Sequence, residues 1–432
     1  MNAANKEQTM SLLANQEYAQ ALDAADELRS FRDQFIFPRH EGKEVIYFTG
    51  NSLGLQPKSV AAYIQQELDD WAKLGVEGHF QAKHPWMPYH EIFTKQLADL
   101  VGAMEMEVVA MNQLTVNIHL LMASFYRPTQ QRYKIICEAK AFPSDQYALE
   151  SQAIHHGFNP EDVIVEVYPR EGEHLIREED IVKTIEQHAE QLAMVFIGGV
   201  NYYTGQLFNM KNITAAAHKA GAYAGFDLAH AAGNVRLSLH DWNVDFACWC
   251  SYKYLNSGPG GVSGVYIHER HSTNKSLPRF AGWWGHDKQT RFLMEKGFHP
   301  IPTAEGWQLS NAPVLSMAAH KASLDIFELA GWERLHAKRE KLSTYLNELL
   351  TELNAISSDN VIEVITPSDP EQRGCQVSML MLKDGKKVFE ELTAKGVIAD
   401  WREPNVIRVA PVPLYNSFED VYRFVQILKK CF

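Results

Sequence analysis

The sequence predicts an α/β protein, with a mainly parallel central sheet covered by helices on both faces and a smaller C-terminal α/β unit behind it. Three observations carry this. First, short and almost wholly apolar β-rich runs recur between residues 50 and 310: YKIIC (133–137), VIVEV (163–167), MVFIGGV (194–200), YAGFD (223–227) and VDFACWC (244–250). Runs without hydrophobic alternation belong to strands buried on both faces, as parallel strands are. Second, helical stretches such as 178–191 and 213–220 separate these runs, the alternation expected when helices cover a sheet. Third, the texture changes after Asn311, where a long helical run at 316–353 leads into fewer strands.

Taken in order, Pro57 suits a helix start, and Val60, Ile64, Leu68 and Trp71 fall on one face of a helix over 60–74. Beyond Asn311 the strands VIEVI (361–365), QVSMLML (376–382) and NVIRVA alternate with helices near 387–395 and at the end of the chain. The expected organisation is an N-terminal helical segment (1–49) packing with the small domain, a large domain (50–310) and a small C-terminal domain (311–432). No repeat or low-complexity linker separates them.

At 432 residues the chain has room for two or three folding units, each with its own core. Its 41 basic and 53 acidic residues give a net charge of -12, which repels polyphosphate and argues against nucleic acid and anionic membranes as partners. Five scattered cysteines without a C-x-x-C pair imply neither a disulfide framework nor a tetrathiolate metal site, and hence a reducing compartment. The N-terminal stretch lacks a basic region followed by an apolar core. The longest uncharged stretch, 191–210, is interrupted by Gly198, Gly199, Asn201, Thr204 and Gly205, which disqualifies it as a membrane span. A cytoplasmic protein is expected.

In an open α/β sheet the reactive groups gather beyond the carboxyl ends of the strands. YAGFD ends in Asp227, with His230 three residues on, and VDFACWC runs into Tyr252 and Lys253. An acid, a histidine and a lysine on neighbouring strand ends suit pyridoxal phosphate, which needs a lysine amine for its Schiff base and a carboxylate beside its ring nitrogen. Taken singly, each would be an ordinary turn cap, buried histidine or solvated lysine; together they favour the cofactor. A phosphate needs N–H donors at a helix start, and Thr115, ahead of the uncharged run VNIHLLMASFY, suits both a cap and a phosphate ligand. Phe142 can lie on a pyridine ring, with Ser144 and Asp145 just after it.

The stretch SGPGGVSG (257–264) lacks the third glycine of a dinucleotide fingerprint and precedes a strand, so it reads as a tight turn near the lysine. Cys248 and Cys250 alternate on one strand without a further ligand spacing, and no metal is called for. Gly50-Asn51-Ser52-Leu53-Gly54 matches the G-x-S-x-G elbow of serine hydrolases, but Leu55, Gln56 and Pro57 intervene before any helix. A cofactor-independent hydrolase using Ser52 is the remote alternative.

The strings GNSLGLQP, FPSD, YYTGQ, GFDLAHAAGN, DWNVDFACWCSYKYLNSGPGG, GWWGH, LSNAP and IRVAPVPLYNSF, in this order from about Gly50 to Phe418, closely resemble those of the kynureninases. These are pyridoxal phosphate enzymes of fold type I, the aspartate aminotransferase-like fold, and work as homodimers with sites at the subunit interface. The resemblance implies that Lys253 carries the cofactor, Asp227 holds the ring nitrogen and His230 lies near the ring hydroxyl. Phe142 would stack on the ring beside Ser144 and Asp145. Leu114, Thr115 and Tyr252 would contact the phosphate, joined by Trp283 and Asn311 from the partner subunit. For the substrate, Arg408 would take the α-carboxylate through its planar fork, and Ser52, His79, Trp283, Phe292 and Asn311 would line the aryl side. The implied reaction is hydrolysis of the Cβ–Cγ bond of L-kynurenine or its 3-hydroxy form, giving alanine and the anthranilate, a step of tryptophan catabolism towards NAD. Lys253 would move the α proton, with Tyr252 as a later proton donor. Other fold type I enzymes remain as alternatives, an aminotransferase or a cysteine desulfurase. The desulfurase is disfavoured because Cys375 in RGCQV opens a strand instead of riding a loop. A non-enzymatic binding module would lack one of Lys253, Asp227 or Arg408, and all three are present.

Overall fold

A computed structural model describes residues 15–356 and 360–432; the first fourteen residues of the expected N-terminal segment lie outside that range. The principal sheet has seven strands: β1 (Val108–Ala110), β2 (Lys134–Glu138), β3 (Ile164–Val167), β4 (Leu192–Gly198), β5 (Tyr223–Asp227), β6 (Phe246–Trp249) and β7 (Gly264–Ile267). Their spatial order is β1-β7-β6-β5-β4-β2-β3. Pairing is parallel from β3 through β6, while β7 runs against both of its neighbours.

Both faces of this sheet are covered, and alternate residues sort between two cores. Val195, Ile197, Ala224, Phe226, Ala247 and Trp249 join one apolar cluster, and Met194, Phe196, Phe246 and Cys248 the other. That is why these strands read as continuous apolar runs: a period of two has no polar face to display. Each of the five runs forms a strand, with ends shifted by up to two residues and YAGFD matched from end to end. Val163 goes to a helical turn, Pro160–Val163, and β6 is Phe246–Trp249 alone. The edge strand β1, three residues long, carries too little pattern to be read from sequence.

The expected helix 60–74 forms as Val60–Leu74, but its apolar stripe is not its buried face. Leu68 and Trp71 are exposed, whereas Glu67 is buried and accepts hydrogen bonds from Trp86 Nε1 (2.8 Å) and Tyr89 OH (2.9 Å). The long helical run divides at Gly331 (φ 77°) into Val314–Ala330 and Trp332–Ile356. Val314–Ala330 packs on Val60–Leu74 and adds Met317, Leu324 and Phe327 to the core of the large sheet.

A second, antiparallel sheet has the order β8-β9-β11-β10, from β8 (Ile362–Val364), β9 (Val377–Met381), β10 (Asp400–Arg402) and β11 (Val406–Val409). The N-terminal segment is tied to it. Helix Gln16–Ala24 packs on Phe418–Lys429, where Asp23 accepts from the N–H groups of Phe418 (2.7 Å) and Glu419 (2.9 Å) at the helix start. Ile46–Tyr47 pairs in parallel with Val397–Ile398. Among the described residues no helix is long and apolar enough to cross a membrane.

Candidate active site

Strands β2, β4 and β5 end at Glu138, Gly198 and Asp227, and these three ends open into one cavity of about 180 Å³. Asp227 accepts from the Ala229 N–H (2.7 Å) and hydrogen-bonds the carboxyl of Asp145. Asp145 comes from the first turn of helix Pro143–His155, which Pro143 starts. Burial pushes both carboxyls up, and their mutual contact raises Asp145 further, while the Lys253 ammonium opposes both shifts. Two carboxyls in hydrogen-bond contact away from water hold a proton between them, and the outer Asp145 oxygen, Oδ1, has no partner in the chain. A third acid lies beside them. Glu138 is fully buried, receives the Gly198 N–H on both oxygens (3.2 Å each), and is pushed up to about 7 by burial.

Facing this acidic wall, the loop after β6 presents Tyr252 and Lys253. The loop is held where Gly54 N–H bonds the Tyr252 carbonyl (2.9 Å); a side chain at Gly54 would collide with the Lys253 carbonyl and Asn256. Lys253 Nζ lies 3.0 Å from His230 Nε2 and 5.7 Å from the centre of the Phe142 ring. Burial first, then the charges of Lys253, Arg408 and Arg402, hold His230 far below the usual imidazole range. It is therefore a neutral acceptor for the lysine amine, and its buried Nδ1 has no partner. Burial raises the Tyr252 phenol, whose oxygen bonds the Cys250 thiol, so the hydroxyl keeps its proton.

The other end of the cavity is the start of helix Leu114–Phe125. Thr115 is not its cap, contrary to the sequence expectation: Gln113 is the cap residue, and no side chain closes the turn. The first backbone bond runs from Asn117 N–H to Gln113 O (3.0 Å), so the N–H groups of Leu114, Thr115 and Val116 stay available for an anion. Pyridoxal phosphate fits this set. The helix start matches a phosphate, the unpartnered Asp145 oxygen and Asp227 match a protonated ring nitrogen, the unpartnered His230 nitrogen matches a ring hydroxyl, and Lys253 matches the aldehyde.

Leu114, Thr115, Phe142, Ser144, Asp145, Asp227, His230, Tyr252 and Lys253 thus all line one cavity. Six other candidates do not. Ser52 is exposed in a turn well before the helix at Val60, so no nucleophile elbow exists. His79 bonds the Val76 carbonyl through Nδ1 (2.9 Å) and packs on Trp86. Trp283 and Phe292 form an edge-on ring pair (centroids 5.4 Å) at 45% and 55% exposure, and Asn311 is exposed. Arg408 is buried at 1% exposure, paired with Asp400, and lies over the ring of Tyr202, which itself lines the cavity. Sequence reasoning missed Glu138 and Tyr202. The signal for Glu138 was a charged residue closing an apolar run, and that for Tyr202 its place in the YYTGQ string.

Comparison with known proteins agrees with this arrangement. The family model of the kynureninase C-terminal domain matches residues 335–428. A kynureninase of Flavobacterium psychrophilum is 58% identical over 414 residues, 96% of this chain and 97% of the relative. The chain belongs to the kynureninase family. A kynureninase of the animal Nematostella vectensis is 50% identical over 97% of this chain and 94% of its own. Among solved structures, cysteine desulfurases from Thermococcus onnurineus (TM-score 0.72, 19% identity, 89% of this chain and 94% of that one) and Escherichia coli (TM-score 0.73, 16% identity, 94% and 98%) share the fold. As in those enzymes the architecture is fold type I, and Cys375, expected to open a strand, lies instead in a bend two residues before β9. Cys375, the candidate thiol, is 1% exposed and pushed up to about 12 by burial, which leaves it unreactive. The kynureninase assignment therefore rests on identity along nearly the whole chain, and the desulfurase likeness on shape alone.

Proposed function

We propose that this chain is a pyridoxal phosphate-dependent hydrolase that cleaves the Cβ–Cγ bond of L-kynurenine or 3-hydroxy-L-kynurenine, releasing L-alanine and the corresponding anthranilate. The observation that carries the reading is the Lys253 amine facing the buried Asp227–Asp145 pair across the cavity, in a chain 50–58% identical to kynureninases. When bound, pyridoxal phosphate supplies an electron-poor ring that takes up negative charge from the substrate α-carbon.

The residues divide the work around that ring. Asp227 and Asp145 keep the ring nitrogen protonated, because a cation there relieves two carboxyls that cannot both ionise alone. Lys253 Nζ removes the α proton and returns protons later, since it is the one amine lining the cavity among the described residues and the neutral His230 beside it adds no competing charge. Tyr252 donates a proton from a hydroxyl that burial keeps protonated. The N–H groups of Leu114, Thr115 and Val116 would hold the phosphate, and Phe142 would pack beside the ring. Arg408 binds the substrate α-carboxylate. Exposed Trp283, Phe292 and Asn311 complete the site of a second copy in a homodimer, which would explain why large aromatics stand in solvent on a single chain. Five free cysteines, four of them buried, fit a reducing cytoplasm.

Purified protein is expected to be yellow and to convert L-kynurenine to anthranilate. In Lys253→Ala the long-wavelength absorption band and turnover should both disappear. An unchanged visible spectrum in that variant would remove Lys253 from the site.

A further inference from the structure

Three charged side chains share one face of the second sheet. Asp400 and Arg402 lie two apart on β10, and Arg408 stands directly opposite Asp400 on β11. Arg408 donates from Nη1 to the Tyr202 carbonyl and from Nη2 to the Asp400 carboxylate. Arg402 reaches the same Asp400 oxygen, Oδ2, at 3.3 Å. The remaining Arg408 donor, Nε, is buried without a partner. Two guanidinium groups thus share one carboxylate, and the surplus positive charge is felt in the cavity: Arg408 and Arg402 both depress the basicity of His230, the residue touching Lys253. The Arg408 guanidinium also lies over the ring of Tyr202 (5.9 Å), which lines the cavity.

A carboxylate is held most firmly by two parallel bonds along one edge of a guanidinium. On the Nε/Nη2 edge of Arg408, Nε has no acceptor and Nη2 is bound to Asp400. We propose that Asp400 is a positioning residue, a resident carboxylate that occupies Arg408 until the substrate α-carboxylate displaces it towards Arg402. This rests on the reading of Arg408 as the carboxylate anchor. The exchange replaces one anion by another, so Arg408 is never buried without a counter-charge, a state that would cost several kcal/mol. Asp400 in turn keeps Arg402 as its partner. A ligand without a carboxylate cannot drive the exchange, so the device tests for an amino acid before the site engages it.

The experiment compares steady-state kinetics of holoenzyme variants on L-kynurenine with inhibition by its decarboxylated analogue. Removing the internal competitor in Asp400→Asn should lower the KM for L-kynurenine by about three- to tenfold. The inhibition constant of the decarboxylated analogue and the visible spectrum should not move. Arg402→Gln, which takes away the alternative partner of Asp400, should raise the KM. A raised or unchanged KM in Asp400→Asn overturns the proposal, as does a lowered KM in Arg402→Gln, which still decides if Asp400→Asn does not fold. Arg408→Gln separates the two readings. If it leaves the KM unchanged, Arg408 is not the anchor; if it raises the KM while Asp400→Asn lowers nothing, only the role of Asp400 fails.

Discussion

Glu138, Asp145 and Asp227 crowd the inner wall of the cavity against a single lysine, and their burial has a consequence measurable without substrate. The folded-state pKa of Glu138 is raised from 4.5 to about 7 by burial. A raised carboxyl favours folding while protonated, so its contribution is fully present below about 4.5 and is lost as pH rises to about 7. In the cofactor-free protein Glu138 should therefore pull the melting temperature down across that window, against the opposite slope that buried histidines such as His320 contribute. Glu138→Gln, whose amide oxygen can still accept from Gly198 N–H, should flatten the fall; a slope identical to the parent's would show that Glu138 is not the group titrating. At this scale the sequence was legible where a reactive residue sat alone at a strand end, as Asp227 and Lys253 do. It was not legible where the environment decides the role. Glu138 is one case, an acid that only tertiary burial makes unusual. Thr115 is another, since its hydroxyl suggested a cap while the geometry uses the neighbouring backbone N–H groups.

Strands were legible in proportion to the length of their apolar runs. The double-sided strands β2 to β6 announced themselves because both faces of the sheet are covered, and the three-residue β1 could not. Helix Val60–Leu74 shows the limit: its span was readable, but its apolar stripe, with Leu68 and Trp71 exposed, does not pack into this chain's core. Helix Val314–Ala330 carries an odd cost within its own core. His320 is fully buried, stacks on Phe93 (centroids 5.5 Å), and has no partner for either ring nitrogen. Burial holds it down at about 3 from 6.5. A lowered imidazole favours folding while neutral, so stability is lost as pH falls from about 6.5 towards about 3. His320→Leu should remove both the unpaired ring nitrogens and this titration, raising the melting temperature by about 2 °C at neutral pH and by more in mild acid. A lower melting temperature at both pH values would mean that the imidazole makes a contact the leucine cannot replace.

For the molecule as a whole, the net charge of -12 coexists with a cavity in which Lys253 faces three buried acids and Arg408 lies over the ring of the lining residue Tyr202. The cavity residues come from this chain, and in the proposed homodimer the exposed Trp283, Phe292 and Asn311 would serve the site of a second copy. Subunit mixing tests this. Lys253→Ala protein and a Trp283→Ala/Asn311→Ala double variant, each inactive alone, should form hybrid dimers with one intact site, restoring about a quarter of the parent activity at equal mixing. No recovery after verified exchange of subunits would mean that each chain builds its site unaided.

The tie between the two ends of the chain also sets the order of assembly during synthesis. Asn416 Nδ2 donates to the Tyr47 carbonyl across 369 residues, next to the pairing of Ile46–Tyr47 with Val397–Ile398. At ribosomal speeds that separation is roughly 20 to 70 s of elongation. For all of that time the segment preceding Gly54 waits without its partner strand, so the brace on the Lys253 loop lacks this backing until residues 397–416 have been made. A nascent chain can build much of the large sheet before then, yet the lysine loop gains this support only after residues 397–416 arrive.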